Sequence, residues 1–461
     1  MQLNKNIKIF VEIRAFSCSK LNFFSIVNLF HLHMGFIHQQ LFENFHIGDS
    51  SPVILMGVIN LSPESFYKGS FVSKDQLIKR INHFKNLGAK IIDIGARSTA
   101  PGVKPITIEE EKLRIQNALE AITTSLMQNM VISIDTQYAS IAEYALEFAK
   151  EMKFNIIIND VSSFQTDPRL LDIVAKWQCP VIIMATDQKP GDAKTIPGIL
   201  TALNKTITQL RIKKYDLSKL IIDPAVGKWS SEKTYEFDLE ILDQLECFRC
   251  FGAPILVGLS RKSFLGTVLN EPDPAKRYIG SLAATSIAVY NGAHIIRTHD
   301  IDPDMIQTIT TASAIRKKPS IKQNGNQICE IIESPTNVDH AYHLLRRFAV
   351  TPAGSRIMNK KMVQKTIILK NLTAPQCLIL KEELLARGGD VAMHRDVITT
   401  EWQKYDEKFD AILIGSVKQM ESLIQKLKGQ QLKLDMIAKL IEEAMRDEFD
   451  TKKNYGLLTP A

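Results

Sequence analysis

The sequence predicts an α/β protein built as a (β/α)8 TIM barrel followed by a small C-terminal α/β accessory domain. Its 461 residues exceed one ordinary core but accommodate a barrel of about 250 residues and a smaller unit. Eight short runs rich in Ile and Val recur between residues 53 and 300, most of them followed by a longer stretch with helical spacing. After Arg316 the texture changes to KKPSIKQNGNQ, a polar stretch that reads as a linker.

In chain order the runs are VILMGVIN ending at Asn60, KIIDIGA ending at Ala96, VISIDT ending at Thr136 and NIIINDV ending at Val161. PVIIMA, LIIDPA, PILVGLS and AHIIRTHD follow, the last ending at Asp300. Each is apolar almost without alternation, as strands of a parallel sheet buried on both faces must be. Helical spacing marks Ser73–Leu87, Ile108–Gln128, Ala139–Lys150, Leu200–Lys214, Tyr235–Cys250, Ala275–Tyr290 and Asp302–Ile315. An open doubly wound sheet is the alternative, but no Gly-rich dinucleotide fingerprint follows the first strand.

Four segments follow. Residues 1–33 are an unstructured or non-native extension, with basic groups at Lys5, Lys8, Arg14 and Lys20 and an apolar patch too short to span a bilayer. Met34 is a plausible start. Residues 34–316 form the barrel, 317–327 the linker and 328–461 the accessory domain, with an amphipathic segment at Val338–Phe348, strands at KTIILK, Val391 and FDAILIGS, and a helix from Pro375 to Ala386 stopped by Gly388 and Gly389.

Hydrophobic residues make up 45% and charged residues 23%, a globular balance. The net charge of +7 is spread along the chain, so neither nucleic-acid nor membrane binding is indicated. Of six cysteines only Cys247 and Cys250 are spaced as a metal or redox pair, and no second pair completes a zinc site. Both read as reduced and idle, which places the protein in the cytoplasm.

Active sites of such barrels lie at the C-terminal ends of the strands. Those ends present Asn60, Asp93, Asp135, Asn159 with Asp160, Asp187, Asp223, Ser260 with Arg261 and Lys262, and Arg297 with His299 and Asp300. Any one could be a loop cap. Together they put so many charges in one mouth that a ligand must pair with them. Asp135, Asp223 and Asn159 suit a heterocycle offering several N–H donors on one edge. Lys262, Arg297 and His299 suit a phosphate or diphosphate.

The strings GVINLSPESF (Gly57–Phe66), DIGARSTAPG (Asp93–Gly102), SIDT (Ser133–Thr136), IND (Ile158–Asp160), DPA (Asp223–Ala225), LSRKSF (Leu259–Phe264) and RTHD (Arg297–Asp300) resemble, in order, the signatures of dihydropteroate synthases. The resemblance spans residues 52–316. It implies condensation of 6-hydroxymethyl-7,8-dihydropterin diphosphate with 4-aminobenzoate or a related aminobenzene, releasing diphosphate, in folate biosynthesis. Position by position it implies that Asp223 and Asn159 hold the pterin's donor edge beside Met184, that Asp135 stabilises charge on the ring and that Lys262 covers it. Asn60 then helps hold magnesium, which with Arg297 and His299 neutralises the departing diphosphate. Thr99 and Ser260 border the amine subsite, and the loops carrying Phe66 and Pro101 close over it. Barrels of this kind commonly form homodimers through late helices.

The chain departs from the bacterial pattern at Ala96, Arg97 and Ala100 in the second loop, at Ala185 after the fifth strand and at Ala225–Lys228 after the sixth. The second loop resembles the archaeal branch, whose acceptor can be 4-aminobenzoate or an aminobenzene carrying a ribose phosphate; Arg97 or Lys228 could meet that phosphate or be a solvated loop charge, and the solvated charge is the preferred reading. A pterin-dependent corrinoid methyltransferase and a non-catalytic pterin-binding protein are the other readings. In the accessory domain, His394, Arg395 and Asp396 could reach the barrel mouth or cap a strand, and the cap is the preferred reading.

Overall fold

The computed structural model describes residues 37–62, 74–97, 106–123, 130–316, 320–324, 327–332, 334–399 and 407–447. The described residues open with an antiparallel hairpin, β1 (His38–Phe42) and β2 (Phe45–Gly48), which the sequence reading did not contain.

The eight apolar runs form eight parallel strands: β3 (Ile54–Asn60), β4 (Ile91–Gly95), β5 (Val131–Asp135), β6 (Asn155–Asp160), β7 (Val181–Met184), β8 (Leu220–Asp223), β9 (Leu256–Gly258) and β10 (Ile295–Thr298). They are ordered β8-β7-β6-β5-β4-β3-β10-β9. A parallel bridge between Ile222 and Ile255, with Ile222 N donating to Pro254 O at 3.0 Å, joins the two ends into a barrel. Helices separate the strands where expected, with two additions that were not foreseen: Arg169–Trp177 between β6 and β7, and the short Ser263–Val268 after β9.

Ile54, Met56, Ile91, Val131, Ile157, Ile182, Ile221, Leu256 and Ile295 form one buried cluster, and Leu41 and Ile47 of the hairpin pack into it. The hairpin therefore plugs the N-terminal end of the barrel. Asp49, just past it and 2% exposed, fixes the plug: it accepts from Arg249 at 2.8 and 2.9 Å, from Arg316 at 2.8 Å and from His294 Nε2 at 3.2 Å. His294 Nδ1 accepts from Ile255 N, so the ring proton sits on Nε2 and a neutral imidazole donates to Asp49.

A second hairpin, Ser320–Asn324 with Gln327–Ile331, begins in the stretch read as a linker and runs on past it into the segment assigned to the accessory domain. Beyond it α1 (Val338–Arg347) belongs to both units. Its Leu344 joins the barrel core, while Ala341 packs with Val363 and Val417 of the accessory domain. Cys247 Sγ lies 3.2 Å from Thr336 Oγ1, and the rings of Phe251 and His343 are 5.6 Å apart. Cys247 and Cys250 are buried on a short 3-10 helix against α1. Burial pushes the Cys247 thiol up to about 12, which disfavours its thiolate.

The accessory domain is a three-stranded antiparallel sheet, Gln364–Leu372, Phe409–Ser416 and Asp390–Met393 in that spatial order. Its helices include Ala374–Leu385, Val417–Leu427 and Leu434–Asp447, and Leu380, Leu384, Leu413, Leu423 and Ile441 anchor its core. Thr373 and Ser416 each start a helix with a reciprocal capping box. His394 Nδ1 accepts from Asp396 N at 3.3 Å, a local cap, and Arg395 is exposed. Among the described residues no helix is long and apolar enough to cross a membrane.

Candidate active site

Side chains alternate along a strand, so the residues two or four beyond the buried cluster at the barrel floor point into the same interior. Counting on from Met56, Ile91, Val131, Ile157, Ile182, Ile221 and Ile295 gives Asn60, Asp93, Asp135, Asn159, Met184, Asp223 and Arg297. Strand register then aligns the tips, with Asp135 opposite Asn159 and Met184 opposite Asp223. The carboxylates, amides and guanidinium thus share one mouth because the chain keeps a single phase in every strand.

Asp93 organises this mouth from below. It is fully buried, and its Oδ1 accepts from Ser133 Oγ at 2.6 Å and from Asn159 Nδ2 at 3.2 Å. Its Oδ2 accepts from Arg297 Nε at 2.6 Å, and Arg297 donates again to Asp135 Oδ2 at 2.8 Å. Arg297, expected as a diphosphate ligand only, is therefore also the tie between two carboxylates. Burial, with Asp93 close by, pushes Asp135 up to about 7 even though Arg297 opposes the rise.

On the other side, Asp223 accepts from Ala225 N at 2.7 Å, and burial raises its pKa against the pull of Lys262. Lys262 Nζ donates to Val226 O at 2.8 Å, and burial pushes its ammonium down to about 8 while Asp223 holds it up. The loop beneath is pinned by Lys233, fully buried and paired with Asp238 at 3.2 Å, and by Gly227 N donating to the same carboxylate at 2.8 Å. Asp160, of opposite phase to Asn159, faces away from the mouth. It holds the following loop through Ser162 N at 2.7 Å and Phe164 N at 2.6 Å.

The remaining expected residues have definite partners. Ser260 Oγ donates to Asp300 at 3.1 Å, and Arg261 binds the same carboxylate through two nitrogens at 2.9 and 3.0 Å. Asn60 Oδ1 accepts from Ser62 N at 2.9 Å. Burial and the nearby Arg297 push His299 down to about 3, which favours its neutral form over the positive charge expected of it. Phe66, Thr99 and Pro101 lie outside the described residues.

Arg97 is not available as expected. Its Nε meets Glu111 at 2.5 Å, Glu111 is 1% exposed and also accepts from Thr136 Oγ1 at 2.7 Å, and the guanidinium lies 5.1 Å from the Tyr138 ring centroid. The sequence reading missed Glu111, whose only signal is its place in the first turn of Ile108–Thr123. Lys228 is exposed.

The profile of a family described as pterin binding enzyme matches residues 56–299, more than half of the chain. The chain belongs to this family. A dihydropteroate synthase of Bacillus subtilis is 33% identical over 251 residues, 54% of this chain and 84% of that protein. One of Escherichia coli is 32% identical over 284 residues, 60% and 95%. The structure of a dihydropteroate synthase from Coxiella burnetii in complex with pteroic acid shares 29% identity and a TM-score of 0.52, covering 61% of this chain and 98% of that one. Its relatives make this pterin-binding chain an enzyme of the dihydropteroate synthase type, a transferase of folate biosynthesis acting on small molecules. They favour neither the corrinoid methyltransferase nor the ribosylated-acceptor reading.

Proposed function

We propose that the pterin of 6-hydroxymethyl-7,8-dihydropterin diphosphate lies across the barrel mouth between Asp223 and Asn159, with Met184 against one face and Lys262 over the other. The observation that carries this is the chain Asn159–Asp93–Arg297–Asp135, each link a hydrogen bond of 3.2 Å or less. It fixes one wall of the mouth before any ligand arrives, so little reorganisation opposes binding.

In the reaction the bond from the exocyclic methylene carbon to the diphosphate oxygen breaks, and the diphosphate leaves with the electron pair. The arylamine lone pair forms the new C–N bond and the amine then loses a proton to solvent. Asp135 lies where a carboxylate can oppose the positive charge that builds on the ring. Arg297 and His299 face the departing anion with a charge and a hydrogen-bond donor, and the anion itself raises the His299 pKa.

Magnesium fits this arrangement only as an ion that arrives with the substrate. Among the described residues no group of three or more His, Cys, Asp or Glu could hold a metal, whereas magnesium commonly takes one protein oxygen together with substrate phosphates. Asn60 Oδ1 would be that protein oxygen. The ion would supply electrostatic stabilisation of the leaving diphosphate.

For the acceptor we favour 4-aminobenzoate, because Arg97 is held by Glu111 and cannot meet a distant phosphate. Ser260 together with Thr99, Phe66 and Pro101 would border it. Mass spectrometry of products from the full chain, the pterin diphosphate and a panel of aminobenzenes tests the assignment: 4-aminobenzoate is expected to yield dihydropteroate. Turnover restricted to a ribose-phosphate-bearing amine would overturn it and turn attention to Lys228.

Two further features complete the reading. Ile279, Ile287, Tyr290 and Ile315 are exposed on Tyr278–Tyr290 and Pro303–Ile315, which supports a homodimer formed through these late barrel helices. The free thiols support a cytoplasmic setting.

A further inference from the structure

Lys262 emerges from the loop after β9 with a flexible four-carbon stem, yet its ammonium is confined on three sides. Gly227, at φ +122°, leaves the first side bare: a Cβ there would stand 2.9 Å from Lys262 Nζ and 3.0 Å from its Cδ. Val226 O takes a hydrogen bond from Nζ at 2.8 Å on the second. On the third, Nζ lies 5.5 Å from the centroid of the Trp229 ring, within range of a cation–π contact.

Trp229 is itself held from behind. Asp192 accepts from the backbone N–H groups of Asp187, Gln188 and Lys189 at 2.8, 2.9 and 3.0 Å, which folds the loop after β7 back on itself. That fold brings Gly191, at φ +65°, so close to the indole that a Cβ would fall 2.2 Å from Trp229 Cγ. Loops from two strands therefore clamp the ring beneath Lys262. The ring directly follows Ala225–Lys228, where the chain departs from the bacterial pattern, and nothing in the reaction scheme uses the indole.

We propose that Trp229 is a positioning residue for Lys262: its clamped indole face and the bare backbone of Gly227 form a slot that fixes the ammonium over the pterin subsite. The inference rests on the reading of Lys262 as a pterin contact. The slot also bears on protonation. Asp223 and Asp238 favour the charged form of Lys262, Arg297 and Lys233 oppose it, and burial opposes it most. The electron-rich indole face adds to the favouring side.

The test uses the full chain and steady-state kinetics as a function of pH. Trp229→Leu keeps the site apolar but removes the ring face. The expected result is a rise in KM for the pterin diphosphate of about 5-fold with kcat within about 2-fold, and a basic limb of kcat/KM displaced about half a pH unit downward. Trp229→Phe, which restores a ring, is expected to recover most of both. If Trp229→Leu does not fold, tetrafluorotryptophan placed at position 229 by nonsense suppression keeps the shape while weakening the ring's negative face, and is expected to move the basic limb the same way. An unmoved basic limb and KM in either variant overturns the proposal. Lys262→Gln separates the two claims. If it binds and turns over the pterin diphosphate normally, the reading of Lys262 itself fails. If it is impaired and Trp229→Leu impairs it by the same factor again, the indole acts without Lys262 and the positioning role is wrong.

Discussion

The Arg297 guanidinium meets the Asp135 carboxylate at 2.8 Å while its Nε holds the buried Asp93 at 2.6 Å. One cation thus serves two carboxylates across three strands of the barrel, β4, β5 and β10. Asp93 is buried and Asp135 about one-fifth exposed, so the second pair carries the titration that solvent and substrate can sense.

In the proposed reaction Asp135 has to be ionised to oppose positive charge on the pterin, and Lys262 has to be protonated to act as a cation. With Asp135 at about 7 and Lys262 at about 8, kcat/KM should be bell-shaped, falling below pH 7 and above pH 8. A profile flat from pH 6 to 9 would show that neither group titrates in the free enzyme.

Arg297→Gln removes the cation that favours ionised Asp135. Its pKa then climbs, and the acid limb of the profile should move to higher pH, by about one unit or more. Loss of a charge-assisted pair facing the leaving anion should also reduce kcat/KM by about 100-fold, on the scale measured for single stabilising donors. The same pH titration reads both effects, and an unmoved acid limb would detach Asp135 from Arg297.

Asp49→Asn should destabilise the barrel by about 3 kcal/mol, because it leaves Arg249 and Arg316 short of their common counter-charge. Urea unfolding at pH 7 measures this. In the parent chain His294 is pushed down to about 4, mainly by burial, below its ordinary value of 6.5. The unfolded chain takes up that proton first, so stability is present above pH 6.5 and declines as the pH falls toward 4. Asp49 is held below its ordinary 3.8 by His294 and Arg249 against its own burial, which adds a further decline below that pH. Unfolding free energies that are constant between pH 7 and 4 would contradict the assignment.

Arg97→Leu should lower stability by about 3 kcal/mol, since among the described residues Glu111 would remain buried with the Thr136 hydroxyl alone. KM for 4-aminobenzoate should stay within about 3-fold of the parent. A large selective rise in that KM, measured on folded protein, would return Arg97 to the amine subsite.

Truncation separates the barrel from its appendage. A chain ending at Arg316 lacks α1 and uncovers Phe251 and the otherwise buried Cys247, whereas one ending at Phe348 keeps Leu344 in the barrel core. The shorter chain is expected to melt several degrees lower, in keeping with the loss of a buried Leu contact worth about 2 kcal/mol or more. Equal melting temperatures would show that α1 serves the accessory domain alone.

The eight strands were legible in the sequence because a parallel strand buried on both faces must be continuously apolar, and the polar residues that end each run had to gather at one mouth once those strands closed. Asp135, Asn159, Asp223 and Arg297 could be named on that ground alone. The hairpins at His38–Gly48 and Ser320–Ile331, the helix Arg169–Trp177 and the placement of α1 against the barrel were not legible, since each is stabilised by partners distant in the chain. Only the tertiary structure decided that Asp93 ties Arg297 to Asn159, that the buried Glu111 binds Arg97 and that the Trp229 ring faces Lys262. Hydrophobic periodicity is a local property that folding reads along the chain, whereas the partner of a buried charge is chosen through space.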